Sequence, residues 1–364
     1  MKKNLIGKSG TKLIYKGMKN RSLKVIVSLV ILMIFSCDEP ETVVTNIVHA
    51  DGSITRKIEM RTLKNNFELR NLQVPFDSAW KITDNVEINE KGDTTWIRTA
   101  EKLFAGVDEI NITYGYDSFA NINITRHATF KKKFRWFNTE FRFSEDIERK
   151  LPYGHPVDDF LSKEEKLFFY SPQSLQDDKK NGPDSLIIRD LEDSVNLKIE
   201  RWIEKTLVSG WIDKFSELVK GENGIANNLL TRENELQRLI EQNTEKFDSL
   251  WDNGIILKEI LSEENAIKFR SEADSAMSVV TDDFFIDFRE YSVRIAMPGR
   301  LTGTNGFIDS SKVLLWPVRS DFFMTQSYEM WAESKVPNIW AWIISALFIL
   351  FVIAGFGMRI IKKG

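Results

Sequence analysis

Cys37 is the single cysteine among 364 residues, so neither an internal disulfide nor a cysteine-based zinc cluster can form. Histidine is nearly as scarce: His49, His127 and His155 have no metal-ligand spacing, and no metal or other cofactor is expected. With only 9 Pro and 19 Gly, against 42% apolar and 28% charged residues, disordered, collagen-like and low-complexity classes are excluded. Gly-x-Ser-x-Gly, His-Glu-x-x-His and P-loop motifs are missing, so hydrolase, metalloprotease and nucleotide-binding readings lack their usual anchors. Acidic residues are missing from both ends of the chain, and those ends carry the clearest signals.

Residues 1–36 hold Lys2, Lys3, Lys8, Lys12, Lys16, Lys19, Arg21 and Lys24, followed by the apolar run Val25 to Phe35. That order is a signal peptide, since a run this short falls well below the roughly 20 residues a spanning helix needs. Met18 is an alternative start, because Lys19, Arg21 and Lys24 alone would serve as the charged region. The run ends in Ile34-Phe35-Ser36-Cys37, which is similar to a bacterial lipobox. Cys37 is therefore the expected site of lipid attachment, a palmitate-type acylation, and the mature N-terminus.

At the other end Ile339 to Met358 is a stretch of 20 residues without a charge, and as a helix it matches the hydrocarbon core. Trp340 and Trp342 open it where indoles favour the headgroup region, and Arg359, Lys362 and Lys363 follow it. The expected address is a bacterial inner membrane, with the tail cytoplasmic and residues 38–336 on the periplasmic face of the cell envelope. All 53 acidic residues fall between the two ends, against 39 basic ones, a balance of −14. Nucleic acid is not expected as a partner.

From Thr42 to Phe143 the chain reads as strands. Thr42 to Val48 and Ile54 to Met60 flank Ala50-Asp51-Gly52-Ser53, and Val86 to Ile88 and Thr94 to Ile97 flank Glu90-Lys91-Gly92-Asp93, both hairpin patterns. Ile110 to Tyr114 and Ile122 to Thr125 alternate with period two. Lys131 to Phe143 reads as one two-sided strand, with Phe134 and Trp136 on one face and Phe137, Thr139, Phe141 and Phe143 on the other. Its aromatics Phe134, Trp136, Phe137, Phe141 and Phe143 are a candidate ligand pocket beside the plainer reading as core. Lys131-Lys132-Lys133 near His127 fits a strand edge guarded against pairing, or an anion contact.

Asp158 to Met277 shifts to helical spacing: Leu191, Val195, Ile199 and Trp202, then Leu236, Leu239, Ile240 and Phe247. Four or so helices are expected, opened near Asp184, Thr231 and Ser262 and interrupted at Gly210, Gly221, Gly224 and Gly254. After Asp283 strands return, with Tyr291, Val293, Ile295 and Met297 alternating up to Pro298-Gly299, a hairpin turn at Thr304-Asn305-Gly306, and Val313 to Trp316. Strands on both sides of a helical block predict one sheet closed by both halves. The fold class is thus α+β: an antiparallel β-rich domain (37–150 and 283–335) with an inserted helical block (151–282), plus one C-terminal transmembrane helix (337–361).

The pieces Asp51-Gly52-Ser53, Met297-Pro298-Gly299, Thr304-Asn305-Gly306, Asp309 and Val313 to Trp316, followed by a terminal apolar segment, resemble LppM-type bacterial membrane lipoproteins. The resemblance covers the first 100 and last 80 residues of the mature chain, roughly, and not the helical block. It implies a lipidated, membrane-tethered, β-rich exterior domain that handles lipids or glycolipids, and it supplies no catalytic residues.

Two further patterns reduce to surface chemistry. Asp177 to Ile188 opens like a calcium loop, but Lys179 takes a ligand position and Ile188 replaces the bidentate acid. Acid pairs such as Asp158/Asp159, Glu164/Glu165 and Glu263/Glu264 read as helix N-termini or solvated faces. The expectation is a non-enzymatic, membrane-anchored envelope lipoprotein that binds a membrane protein or an amphiphilic lipid ligand near the bilayer. An envelope enzyme acting on glycan or lipid through carboxylates, and a structural spacer, are the alternatives.

Overall fold

The computed structural model describes residues 41–361 apart from 65–66, 68–77, 90–91, 115–123, 150, 152–153, 181–184, 221–223, 226–228, 230, 244–245, 287 and 309–312. Residues 1–36, read above as a signal peptide, and Cys37, Lys362 and Lys363 lie outside these residues, as do Ile122, Asn123, Asp184, Gly221 and Asp309. The described residues form 11 strands in two sheets and 10 α-helices, an α+β architecture. They divide into two units, one β-rich (Pro40–Lys150, Tyr170–Ser185 and Phe288–Gly364) and one helical (Leu151–Phe169 and Leu186–Asp287).

In the β-rich unit, β1 (Glu41–Val48) and β2 (Ile54–Thr62) form the first expected hairpin, with Gly52 at φ 100° supplying the left-handed turn residue. The second joins β3 (Lys81–Ile88) to β4 (Thr94–Phe104), and Gly92 at φ 86° plays the same part. Ile110 to Tyr114 is not a strand. It belongs to α1 (Val107–Tyr114), where Asp108 and Glu109 favour the first turn and Ile110 and Tyr114, four apart, share the buried stripe. Lys131 to Phe143 is likewise two strands: β5 (Ile124–Phe134) and β6 (Asn138–Arg149), reversed at Arg135-Trp136-Phe137 with Arg135 N–H donating to the Asn138 carbonyl at 2.8 Å.

Beyond the helical unit come β7 (Tyr291–Ala296), β8 (Arg300–Thr304), β9 (Phe307–Ile308), β10 (Leu314–Val318) and β11 (Tyr328–Pro337). Two sheets form where one was expected. The larger runs β3-β4-β2-β1-β7-β10-β9 and the smaller β5-β6-β11-β8, so each takes strands from both sides of the helical insertion. β1 and β7 pair in parallel, an arrangement that needs a long crossover, and the helical unit lies in that stretch of sequence. β5 is an edge strand, consistent with the lysines it carries.

Thr304-Asn305-Gly306 is not a hairpin turn, because β8 and β9 belong to different sheets. Asn305 stitches the crossing: its side-chain amide donates to the Glu329 carbonyl at 2.6 Å, and its Oδ1 accepts from the Trp331 N–H and the Trp316 indole, each at 2.9 Å. A Cβ on Gly306 would run into the Trp316 ring, so glycine is required here by close approach. The sheets also meet through charge. Arg56 of β2 donates to Glu145 of β6 at 2.7 Å and to Asn46 of β1 at 2.8 Å, and all three side chains are buried. Around this joint Ile58, Phe104, Phe143, Ile147 and Met330 fill the interior.

Among the described residues eight α-helices lie in the region where four or so were expected. They are α2 (Lys163–Phe169), α3 (Gln173–Lys180, in the β-rich unit), α4 (Ser185–Leu218), α5 (Glu233–Asn243), α6 (Phe247–Asp252), α7 (Ile255–Leu261), α8 (Glu263–Lys268) and α9 (Arg270–Phe284). Gly210 does not interrupt: it is buried inside the 34-residue α4, where packing outweighs the roughly 1 kcal/mol that glycine costs a helix. Gly254 at φ 71° does break α6 from α7. Trp211, Phe215, Leu236, Leu257 and Ala276 lie in the core of this unit. Arg232 donates to the Ile260 and Glu259 carbonyls and Arg270 to the Trp251 carbonyl, satisfying the last turns of α7 and α6.

Candidate membrane-proximal site

β11 runs through Pro337 and Asn338 into α10 (Ile339–Ile361). Over Ile339–Met358 this helix has mean hydropathy 2.5 and is only 6% buried, so it is long and apolar enough to cross a membrane. The β5–β6 reversal packs beside its first turns. Asn338 holds the junction: its side-chain amide donates to the Arg135 carbonyl at 2.7 Å, its N–H donates to the Phe137 carbonyl at 2.9 Å, and its Oδ1 accepts from the Thr139 hydroxyl at 3.0 Å. Its own carbonyl accepts from the Ala341 N–H and so starts the helix.

Aromatic rings complete the bracket. Phe134 stacks on Trp340 with centroids 6.2 Å apart, Trp136 meets Trp340 edge-on at 5.3 Å, and Phe137 lies 4.4 Å from Trp342. The Trp136 indole donates to Ser345 Oγ at 3.0 Å and the Trp342 indole to the Phe137 carbonyl at 3.1 Å. Each of the five rings stays 40–56% exposed. Apolar rings left open around the first turns of an apolar helix, with the Trp136 and Trp342 indole N–H groups satisfied, suit a bilayer interface.

The five aromatics read as a pocket therefore fall into two sets. Phe134, Trp136 and Phe137 join Trp340 and Trp342 in the bracket. Phe141 and Phe143 are buried in the interior, Phe141 stacked on Phe130. Arg359 belongs to the last turn of α10. Asn338 and Ser345 escaped the sequence reading, although an Asn directly before an apolar helix is a helix-start signal.

The helical unit holds a polar cluster that no motif flagged. His155 Nε2 and Ser209 Oγ are 2.9 Å apart, and the Ser209 hydroxyl donates to Glu233 at 2.6 Å. This is not a nucleophilic triad. Glu233 lies 3.6 Å from the same imidazole nitrogen that meets the serine, instead of orienting the far one, and the serine proton is already committed to the carboxylate. Glu165 is fixed as well: it takes part in a capping box with Ser162 and accepts from Lys198 at 2.7 and 2.8 Å and from Ser194 at 2.9 Å. The Lys198 hydrogen bond, with those from Ser162 and Ser194, pulls its pKa down to about 2. In the sheet joint, burial pushes the Tyr114 hydroxyl up to about 12 despite the Arg56 guanidinium over its ring. Among the described residues no group of three or more His, Cys, Asp or Glu side chains is placed to hold a metal ion.

No family model matches the chain, and no curated protein matches it. Among solved structures, the NMR structure of the folded domain of Mycobacterium tuberculosis LppM is similar at a TM-score of 0.26 and 8% identity, covering 83% of this chain and 92% of that one. This is a weak, fold-level resemblance.

Proposed function

We propose that this protein is a non-enzymatic, membrane-anchored binding protein of the bacterial envelope. In this reading α10 crosses the inner membrane with its C-terminal tail in the cytoplasm, and Cys37 carries a second, lipid anchor. The β-rich unit rests on the periplasmic surface, and the helical unit offers a contact face to a membrane protein or an amphiphile. The observation that carries the reading is the bracket of Asn338, Trp136, Trp342 and Ser345, which ties the sheet to the first turns of an apolar helix. A soluble protein gains nothing from leaving 20 apolar residues 6% buried, whereas a bilayer would cover them. Confinement beside the bilayer raises the effective concentration of membrane-embedded partners, so weak contacts suffice.

The test is extraction of membranes carrying the full chain with alkaline carbonate. The wild type and a Cys37→Ser variant should both stay in the pellet, and the variant should run as the uncleaved precursor. Release of the wild type would remove the membrane reading, and unchanged processing of the variant would remove the lipid anchor.

A further inference from the structure

The outer face of the four-stranded sheet is polarised along its strands. Nearest the apolar helix, cross-strand pairing sets Lys133, Glu140, Lys335 and Arg300 in one row. Lys133, Lys335 and Arg300 are all exposed, and Glu140 is spanned by Arg135 of the hairpin tip at 3.3 Å. At the far end the corresponding row is His127, Asp146 and Glu329. Between them lies the row Lys131, Arg142 and Glu333, so the balance on this face runs from net positive in the row nearest α10, despite Glu140, to net negative in the far row. Lys335 precedes Pro337 by two residues, about 7 Å along a strand, so the basic row stands just above the indoles of Trp340 and Trp342. Rings that sit at headgroup depth place that row at the level of the lipid phosphates.

We propose that Lys133, Lys335 and Arg300, with Arg135 at the tip, form a headgroup site that selects acidic phospholipids in the outer leaflet of the membrane the helix crosses. The occupant is fixed by charge complementarity and by position. The cations face where lipid phosphates lie, and a neutral zwitterionic headgroup offers them no net attraction. The inference rests on α10 spanning a bilayer and adds which lipid the sheet settles on.

The experiment uses the full chain reconstituted in phosphatidylcholine vesicles carrying a trace of spin-labelled phosphatidylglycerol or spin-labelled phosphatidylcholine. The fraction of label immobilised by the protein reports selectivity. Wild type should hold phosphatidylglycerol over phosphatidylcholine, and the preference should collapse at high salt. A Lys133→Gln/Arg300→Gln/Lys335→Gln variant should lose roughly fivefold in selectivity or more, the scale of one surface charge near an acidic leaflet. Arg359, Lys362 and Lys363 are unchanged between the two proteins, so the difference belongs to the row. A Lys214→Gln/Arg238→Gln/Lys258→Gln variant, altered only in the helical unit, should keep the wild-type preference. Equal selectivity in the wild type and the row variant, or none in the wild type, overturns the proposal. Failure of the wild type to stay with the vesicles under carbonate would overturn the spanning helix instead.

Discussion

The indole N–H of Trp342 donates to the backbone carbonyl of Phe137 at 3.1 Å while their rings lie 4.4 Å apart. One residue belongs to the apolar helix and the other to a hairpin tip some two hundred residues earlier in the chain. The contact turns a peptide junction into a joint braced at two points, so the sheet and the helix hold a fixed angle instead of swinging on a tether. A preset orientation of this kind lowers the entropic cost of any encounter made at a membrane surface.

The Asn338 side chain hydrogen-bonds Thr139, Arg135 and Trp136 within the brace. Asn338→Ala removes the side-chain bonds to the Arg135 carbonyl and the Thr139 hydroxyl and should cost on the order of 1–3 kcal/mol. Thermal unfolding of the full chain in neutral detergent should show a lower midpoint for the β-rich unit, with the amount of protein in the membrane fraction unchanged.

Gly306 tests the crossing between the sheets. Gly306→Ala places a methyl group against the Trp316 ring, whose indole is fixed by Asn305, and overpacking of this kind costs about 1–3 kcal/mol. Denaturant unfolding followed by tryptophan fluorescence measures it. An alanine variant as stable as wild type would contradict the stated packing.

Ser262 adopts φ 85° and ψ 160° between α7 and α8, a region nearly restricted to glycine. Ser262→Gly should therefore raise the stability of the helical unit by about 1 kcal/mol, seen as a higher urea midpoint at unchanged slope.

Glu165 gives the helical unit an acid sensitivity with a defined sign. Its folded pKa, about 2, lies below the unfolded value near 4.5, so its contribution is fully present above about pH 4.5 and is lost as pH falls toward 2. Urea midpoints at pH 6 and pH 3 should differ less in Glu165→Gln than in wild type. An identical difference would show that the Lys198 pairing does not contribute to folding.

The parts of the fold legible in the sequence are those set by local chemistry. Gly52, after Asp51, and Gly92 supply positive φ and form turns, and Ile339 to Met358 is apolar on every face and forms one helix. Where two periods fit equally well, local reading fails: Ile110-Asn111-Ile112-Thr113-Tyr114 alternates like a strand, yet its buried residues are four apart, as helix spacing demands. Turn chemistry at Asn305-Gly306 marks a change of direction without saying which sheet the next strand joins. Phe134, Trp136 and Phe137 were visible as an aromatic cluster, but their partners Trp340 and Trp342 are distant in sequence, so only the closed hairpin could bring them together. His155, Ser209 and Glu233 were equally out of reach, since the segment lacks any motif that ties them.

The most direct test of the account is protease treatment of spheroplasts expressing the full chain with an epitope tag after Gly364. External protease should digest both the β-rich and the helical units and leave a small protected fragment that carries α10 and the tag. Loss of the tag with survival of the two units would contradict the account, because the helix would then run the other way or not cross at all.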